Sequence, residues 1–260
     1  MIRWLILLTA ALAAPAPTSG VIESVYDGDT FTLDDHDKVR LRWVNTPELR
    51  PLEPFGEEAK QFATDFLLRR KVALSPASSP RDSYGRLVAG VATEAGDLSL
   101  ALVKAGLAHV FIIPPDDTDV TELLAAQAEA RAARRGIWST DAYQGALHLT
   151  SFHANAPGDD AENLNGEYLR VANVSTEVVD LGGWKFRNQR GEEYPLPSVK
   201  VPAGYTVQVR SGTGLDAIDP RWQLEVHLRA TREVWNNDGD RATLVGPDGR
   251  DVDSRTHKGG

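Results

Sequence analysis

The sequence predicts a mainly β chain with α additions, in which a five-strand barrel carrying three helices is followed by a β-sandwich. Three observations predict it. Up to about residue 140, short β-rich runs alternate with stretches of helical period. Beyond residue 146 the helical period disappears. And 260 residues are too many for one small core, so two domains are expected. A composition of 42% hydrophobic and 25% charged residues excludes collagen-like and disordered classes.

At the start, Arg3 precedes an apolar run from Trp4 to Ala14 that ends in small residues at Ala11 and Ala13. A basic residue, a short apolar stretch and an A-x-A-like end predict a secretory signal over 1–19. The run is shorter than the roughly 20 residues a membrane-spanning helix needs, and no later segment is apolar enough, so no transmembrane span is expected. Cysteine is absent, which excludes disulfides and thiolate metal sites.

The first domain is expected over 20–140. Its strands are read at Val21–Val25, Thr30–Leu33, Val39–Val44, Lys71–Leu74 and Arg86–Val91. Asp34 to Asp37 reads as a hairpin loop and Ser75–Ser83 as a longer one. Between strands, Ala59, Phe62, Ala63, Phe66 and Leu67 fall on one face of a helix over Glu57–Arg70. A second helix, Leu98–Ala105, is stopped by Gly106, and a third, Thr121–Arg135, opens near Asp119 and closes at Gly136. Five strands with three helices read as an OB-fold with helical additions.

Residues 141–146 read as a linker, 147–256 as the second domain and 257–260 as a tail. Strands are expected at Leu147–Phe152, Glu167–Asn173, Trp184–Arg187, Tyr205–Val209, Trp222–Leu228, Ala242–Val245 and Val252–Ser254. Turn text separates them, including Gly182-Gly183, a tight hairpin at Asn237-Asp238-Gly239, and Pro247-Asp248-Gly249.

The net charge of −9 is shared evenly. Residues 4–140 hold 14 basic against 19 acidic side chains, and residues 141–260 hold 13 against 18. This argues against a broad polyanion-binding surface, because non-specific nucleic-acid affinity comes from neutralising phosphates with basic groups. Any grip on nucleic acid must be local.

Three islands of the first domain carry chemistry. Asp27-Gly28-Asp29-Thr30 is, alone, an ordinary hairpin signal. Arg40 to Glu48 reads as a strand with Arg40 and Arg42 on one face, Leu41 and Trp43 on the other, ending in a Pro-marked turn. Arg81 to Arg86 reads as an exposed loop. Together they compose a site. Asp29, the Asn45 amide and the Thr46 carbonyl are oxygen donors of the kind calcium takes. Glu48 suits a general base, and Arg40 and Arg86 suit a phosphate clamp.

The order D-G-D-T, R-x-x-x-V-N-T-P-E and D-x-Y-G-R resembles the thermonuclease (staphylococcal-nuclease-like) signature. The later Gly106-Leu107-Ala108 and Gly136-Ile137-Trp138-Ser139 are similar to that family's closing elements. The resemblance covers about residues 20–140. It implies a calcium-dependent nuclease that cleaves DNA and/or RNA to 3′-phosphorylated products. Asp29, Asn45 and the Thr46 carbonyl would hold the ion, and Glu48 would orient or deprotonate water. Arg40 and Arg86 would bind the scissile phosphate, with Asp27, Asp82 and Tyr84 in support. Asn45 departs from the aspartate of the type member, which implies weaker calcium binding. The run His109 to Pro115 lacks the type member's base-packing tyrosines, leaving Phe111 open to either that role or a core one. None of the six histidines has metal-ligand spacing.

Residues 147–256, with Glu167 to Asn173, Val179 to Trp184, Val201 to Gly204 and Trp235 to Ala242, resemble the lamin tail domain, an immunoglobulin-like sandwich. An accessory that binds or anchors to a cell surface or protein partner is what this implies. The expected protein is a secreted or extracytoplasmic nuclease, either released or retained at the cell surface. The alternative is an exported, non-catalytic nucleic-acid-binding or surface scaffold protein. Presence of Asp29, Arg40, Glu48 and Arg86 together favours the enzyme.

Overall fold

A computed structural model describes residues 16–116, 118–156 and 163–259. The expected signal segment lies, up to residue 15, outside them. No helix among the described residues is long and apolar enough to cross a membrane.

The first half contains β1 (Ser19–Val25), β2 (Thr30–Leu33), β3 (Lys38–Leu41), β4 (Val44–Asn45), α1 (Gly56–Leu67) and β5 (Lys71–Arg81). It continues with β6 (Leu87–Thr93), β7 (Gly96–Asp97), α2 (Leu98–Ala105), β8 (His109–Val110) and α3 (Thr121–Ala132). The sheet runs β3-β2-β1-β5-β6-β7, and a parallel pairing of β3 with β6 closes five strands into a barrel. Closure removes the sheet edges. Alternation fills the interior with Ile22, Phe31, Leu33, Val39, Leu41, Val72, Leu74 and Leu87, all buried.

Local chemistry sets the boundaries. The α2 helix runs as expected because Asp97 accepts the Leu100 N–H and Gly106 closes the helix at φ 72°. The α1 helix buries Ala59, Ala63 and Leu67, while Phe62 and Phe66 stack on each other at 6.2 Å and stay half-buried. Two expectations are corrected. The loop expected over Ser75–Ser83 is strand as far as Arg81, with a register shift between Pro76 and Arg81. The strand expected over Val39–Val44 stops at Leu41, because Trp43 takes φ 71°. Alternation therefore ends before Arg42. Gly90 makes room for the Trp43 ring, which would lie 2.5 Å from a Cβ there.

The second half contains β9 (Leu147–His153), β10 (Tyr168–Asn173), β11 (Val179–Asp180), β12 (Lys185–Arg187), β13 (Glu193–Pro195) and β14 (Lys200–Val201). It ends with β15 (Thr206–Arg210), β16 (Ala217–Asp219), β17 (Gln223–His227), β18 (Gly239–Val245) and β19 (Asp251–Lys258). A five-stranded sheet, β16-β17-β15-β10-β9, and a four-stranded sheet, β13-β12-β18-β19, enclose one apolar core. Trp235 is its pivot, edge-on to Phe152 at 4.8 Å and to Phe186 at 6.4 Å. Asn237-Asp238-Gly239 is a turn leading into β18 and not a hairpin, since β18 pairs with β12 and β19.

The halves are packed together. Residues 141–146 include a 3₁₀ turn, Asp141–Tyr143, with Tyr143 buried among Ile137, Trp138, Ala172 and Val174. Backbone bonds cross the joint from Ile112 N–H to the Gly204 carbonyl (2.8 Å) and from Thr206 N–H to the Ile112 carbonyl (2.9 Å). Arg131 of α3 donates to the Val174 (2.7 Å), Gln144 (2.9 Å) and Gly145 (2.9 Å) carbonyls.

Candidate active site

The site lies where the β1–β2 turn, the end of β3 and the β4 segment meet. Asp29 is its hub. One carboxylate oxygen accepts the Thr46 N–H at 2.8 Å and the Thr46 hydroxyl at 3.0 Å, and the other accepts the Thr30 hydroxyl at 3.2 Å. The Asp27 carboxylate accepts the Asp29 N–H at 3.0 Å. This approach depends on Gly28, where a Cβ would stand 2.7 Å from the Thr46 methyl and 2.9 Å from Ala59. The glycine is therefore demanded by close packing of the turn on α1, which an ordinary hairpin would not require.

Arg40 reaches the same place from β3. Its guanidinium donates to the Leu41 carbonyl (2.6 Å), the Val44 carbonyl (3.0 Å) and the Asn45 side-chain oxygen (2.9 Å), and it stands 3.3 Å from Asp29. The Asn45 amide donates to the Thr46 carbonyl at 3.2 Å. The three expected ion-binding oxygens thus each already accept an internal hydrogen bond. Among the described residues, no group of three or more His, Asp or Glu side chains is arranged to hold a metal. The expected set contains a single carboxylate.

Arg86 is held by Asp82, which accepts its Nε at 2.8 Å and its backbone N–H at 2.9 Å. Its outer nitrogen is 3.5 Å from the Thr30 hydroxyl, at the margin of the Asp29 hub. Asp82 also accepts the Tyr84 N–H at 2.9 Å, and the Tyr84 ring lies 5.4 Å from the Arg86 guanidinium, exposed to solvent. Arg42 goes elsewhere, paired with Asp116 at 2.9 Å. Phe111 is half-buried beside Trp138 and Tyr143, with Arg40 6.0 Å from its ring centre.

Negative charge is crowded here. Burial, and then the neighbouring Asp29 charge, push the Asp27 carboxyl well above its ordinary range. Glu48 is raised by burial and then by Asp29, against the opposing pull of Arg255 and Arg40. Asp27, Arg40, Asn45, Thr46, Glu48 and Arg86 are thus linked to Asp29 by hydrogen bonds or charge, directly or through one neighbour, while Asp82 and Tyr84 connect through Arg86.

Two residues escaped the sequence reading. Glu53 accepts the Glu48 N–H at 2.9 Å and ion-pairs with Arg255 at 2.9 Å. Glu53 sits five positions from Glu48, a turn-like spacing that offered a signal. Arg255 lies about 200 residues further on and offered none.

A closed five-strand barrel with an arginine and carboxylate cluster at Asp29 is an arrangement suited to phosphodiester hydrolysis, and comparison with known proteins places the chain among nucleases. Residues 38–140 match the family model described as Staphylococcal nuclease homologue, and residues 140–259 match the Lamin Tail Domain. The chain is 34% identical over 127 residues to a thermonuclease of Staphylococcus intermedius, covering 46% of this chain and 76% of that protein. It is 33% identical over 122 residues to a thermonuclease of Staphylococcus hyicus, covering 44% and 72%. With the endonuclease YhcR of Bacillus subtilis it shares 36% over 151 residues, 48% of this chain but 12% of that protein. The chain belongs to the staphylococcal nuclease homologue family, and a lamin tail domain follows its nuclease domain.

Proposed function

We propose that the chain is a secreted, calcium-dependent nuclease that hydrolyses phosphodiester bonds of DNA and/or RNA to 3′-phosphorylated products. The observation that carries this reading is the convergence of Arg40, Asn45, Thr46 and Arg86 on the Asp29 hub, with Glu48 within its electrostatic reach.

The donor set fits a hard cation. It is all oxygen, and the mutual repulsion of Asp27, Asp29 and Glu48 is what a bound positive ion relieves. Asp29, Asn45 and the Thr46 carbonyl would hold calcium, which when bound supplies positive charge to a phosphoryl oxygen. Arg40 donates to the Asn45 oxygen and stands beside Asp29, so its guanidinium, if released from these oxygens, would have donors to offer a phosphate. Arg86, pre-oriented by Asp82, presents planar donors to the same phosphate. Glu48 takes the proton of the attacking water, and burial beside Asp29 makes its carboxylate a stronger base than a solvent-exposed one. The apolar run of Trp4 to Ala14 supports export, and the lamin tail domain is read as an accessory that binds or anchors.

The test uses purified protein with denatured DNA, duplex DNA and RNA, in calcium or in chelator. Chelator is expected to abolish cleavage, and Glu48→Gln and Arg86→Ala each to lower it by about 10²-fold or more. Cleavage indifferent to chelator and to both substitutions overturns the mechanism.

A further inference from the structure

We propose that the lamin tail domain completes the nuclease site, with Arg255 acting through Glu53 as a positioning residue for Glu48. The inference rests on the nuclease reading above and assigns the second domain a part in the reaction itself.

Glu48 stands in the short connection between β4 and α1, outside any regular element. Its backbone is held from both sides by one residue. The Glu53 N–H donates to the Glu48 carbonyl at 2.8 Å, and the Glu53 carboxylate accepts the Glu48 N–H at 2.9 Å. The second Glu53 oxygen is taken by Arg255 of β19, across the joint, at 2.9 Å. Arg255 is itself anchored, donating to the Leu149 carbonyl of β9 at 3.1 Å. Side-chain exposure is only 16% for Arg255 and 24% for Glu53, so solvent screens this bridge far less than a surface pair.

The geometry does two things. It ties a loop to a β-strand, the more rigid support for a reacting group. It also cancels the Glu53 charge, which would otherwise lie uncompensated beside the Glu48 carboxylate. Without Arg255, repulsion between the two carboxylates favours opening of the 48–53 turn. A displacement of about 1 Å at a reacting group costs on the order of 10²-fold in rate.

The experiment uses the full chain on denatured DNA at saturating calcium, comparing Arg255→Met, Arg255→Lys, Glu53→Gln and the double variant Arg255→Met/Glu53→Gln. Expected is a roughly 10- to 100-fold fall in kcat for Arg255→Met, with KM nearly unchanged and partial recovery in Arg255→Lys. The double variant is expected to be no worse than the poorer single, because the two side chains act as one unit. Arg131→Met, which loosens the same joint through α3, serves as the control, with lower stability and unchanged kcat. An unchanged kcat in Arg255→Met, or an equal loss in Arg131→Met, overturns the positioning role. If Arg255→Met does not fold, Arg255→Lys and Glu53→Gln decide by the same split. A wild-type chain that cleaves nothing rejects the nuclease reading, a result distinct from any ranking of the variants.

Discussion

Asn45 stands where a second carboxylate would add a full negative charge to the proposed ion site. Its amide oxygen already accepts Arg40, so a calcium ion held as proposed would have to displace a guanidinium for a neutral donor. Asn45→Asp is expected to lower the calcium concentration for half-maximal cleavage, because a divalent ion gains more from the new charge than Arg40 does. A calcium titration of both proteins checks this, and coincident curves would reject it. His109 makes a second prediction. It is fully buried, with its Nδ1 2.9 Å from the Val110 carbonyl, and burial followed by His148 lowers its pKa to about 3. Below pH 6.5 the unfolded imidazole takes up a proton that the folded one refuses. Its contribution to stability is thus present above about pH 6.5 and is lost as pH falls, by up to about 1.4 kcal/mol per pH unit. Urea unfolding between pH 7 and pH 4 should show a shallower acid slope in His109→Gln than in the wild type.

At the scale of elements, caps and close approaches carry the sharpest expectations. Asp97 caps α2 with a 2.9 Å bond to the Leu100 N–H, and Asp97→Ala should cost about 1 kcal/mol in chemical denaturation. Gly106 and Gly136 are more constrained. Both have positive φ, and a Cβ at Gly136 would stand 2.1 Å from the Gly106 carbonyl, which accepts the Ile137 N–H at 2.9 Å. Gly136→Ala should therefore destabilise by more than the cap loss, since backbone, and not a flexible side chain, must give way. The α2 helix was legible because cap, apolar spacing and terminal glycine agreed. The end of β3 was not, since nothing in Leu41-Arg42-Trp43 announces the left-handed turn at Trp43. That turn exists because the ring settles over Gly90, a contact set by the neighbouring strand. Short β11, β13, β14 and β16 were missed for a related reason, as two- or three-residue strands carry no period to read.

At the scale of the whole molecule, the two halves share hydrogen bonds and a buried aromatic cluster, so they should unfold together. Arg131 donates three bonds to carbonyls of the connection and second half, and Arg131→Met leaves those carbonyls without their charged partner. A loss of about 1.5–3 kcal/mol is expected. Single, coincident urea transitions by tryptophan fluorescence and far-UV dichroism would bear out the coupling, whereas two separated transitions would count against it.

The sequence by itself determined the barrel and sandwich order, the three helices and the three islands whose side chains meet near Asp29. Period, caps, glycines and short motifs are local properties, and the site residues come from three compact islands of one domain. Only the tertiary structure decided that Gly28 serves a close approach, that Arg40 leans on the Asp29 and Asn45 oxygens, and that Arg255 reaches Glu53 from the far end of the chain. Those contacts depend on how distant segments meet in space, and no spacing along the chain encodes the distance between β19 and the loop that holds Glu48.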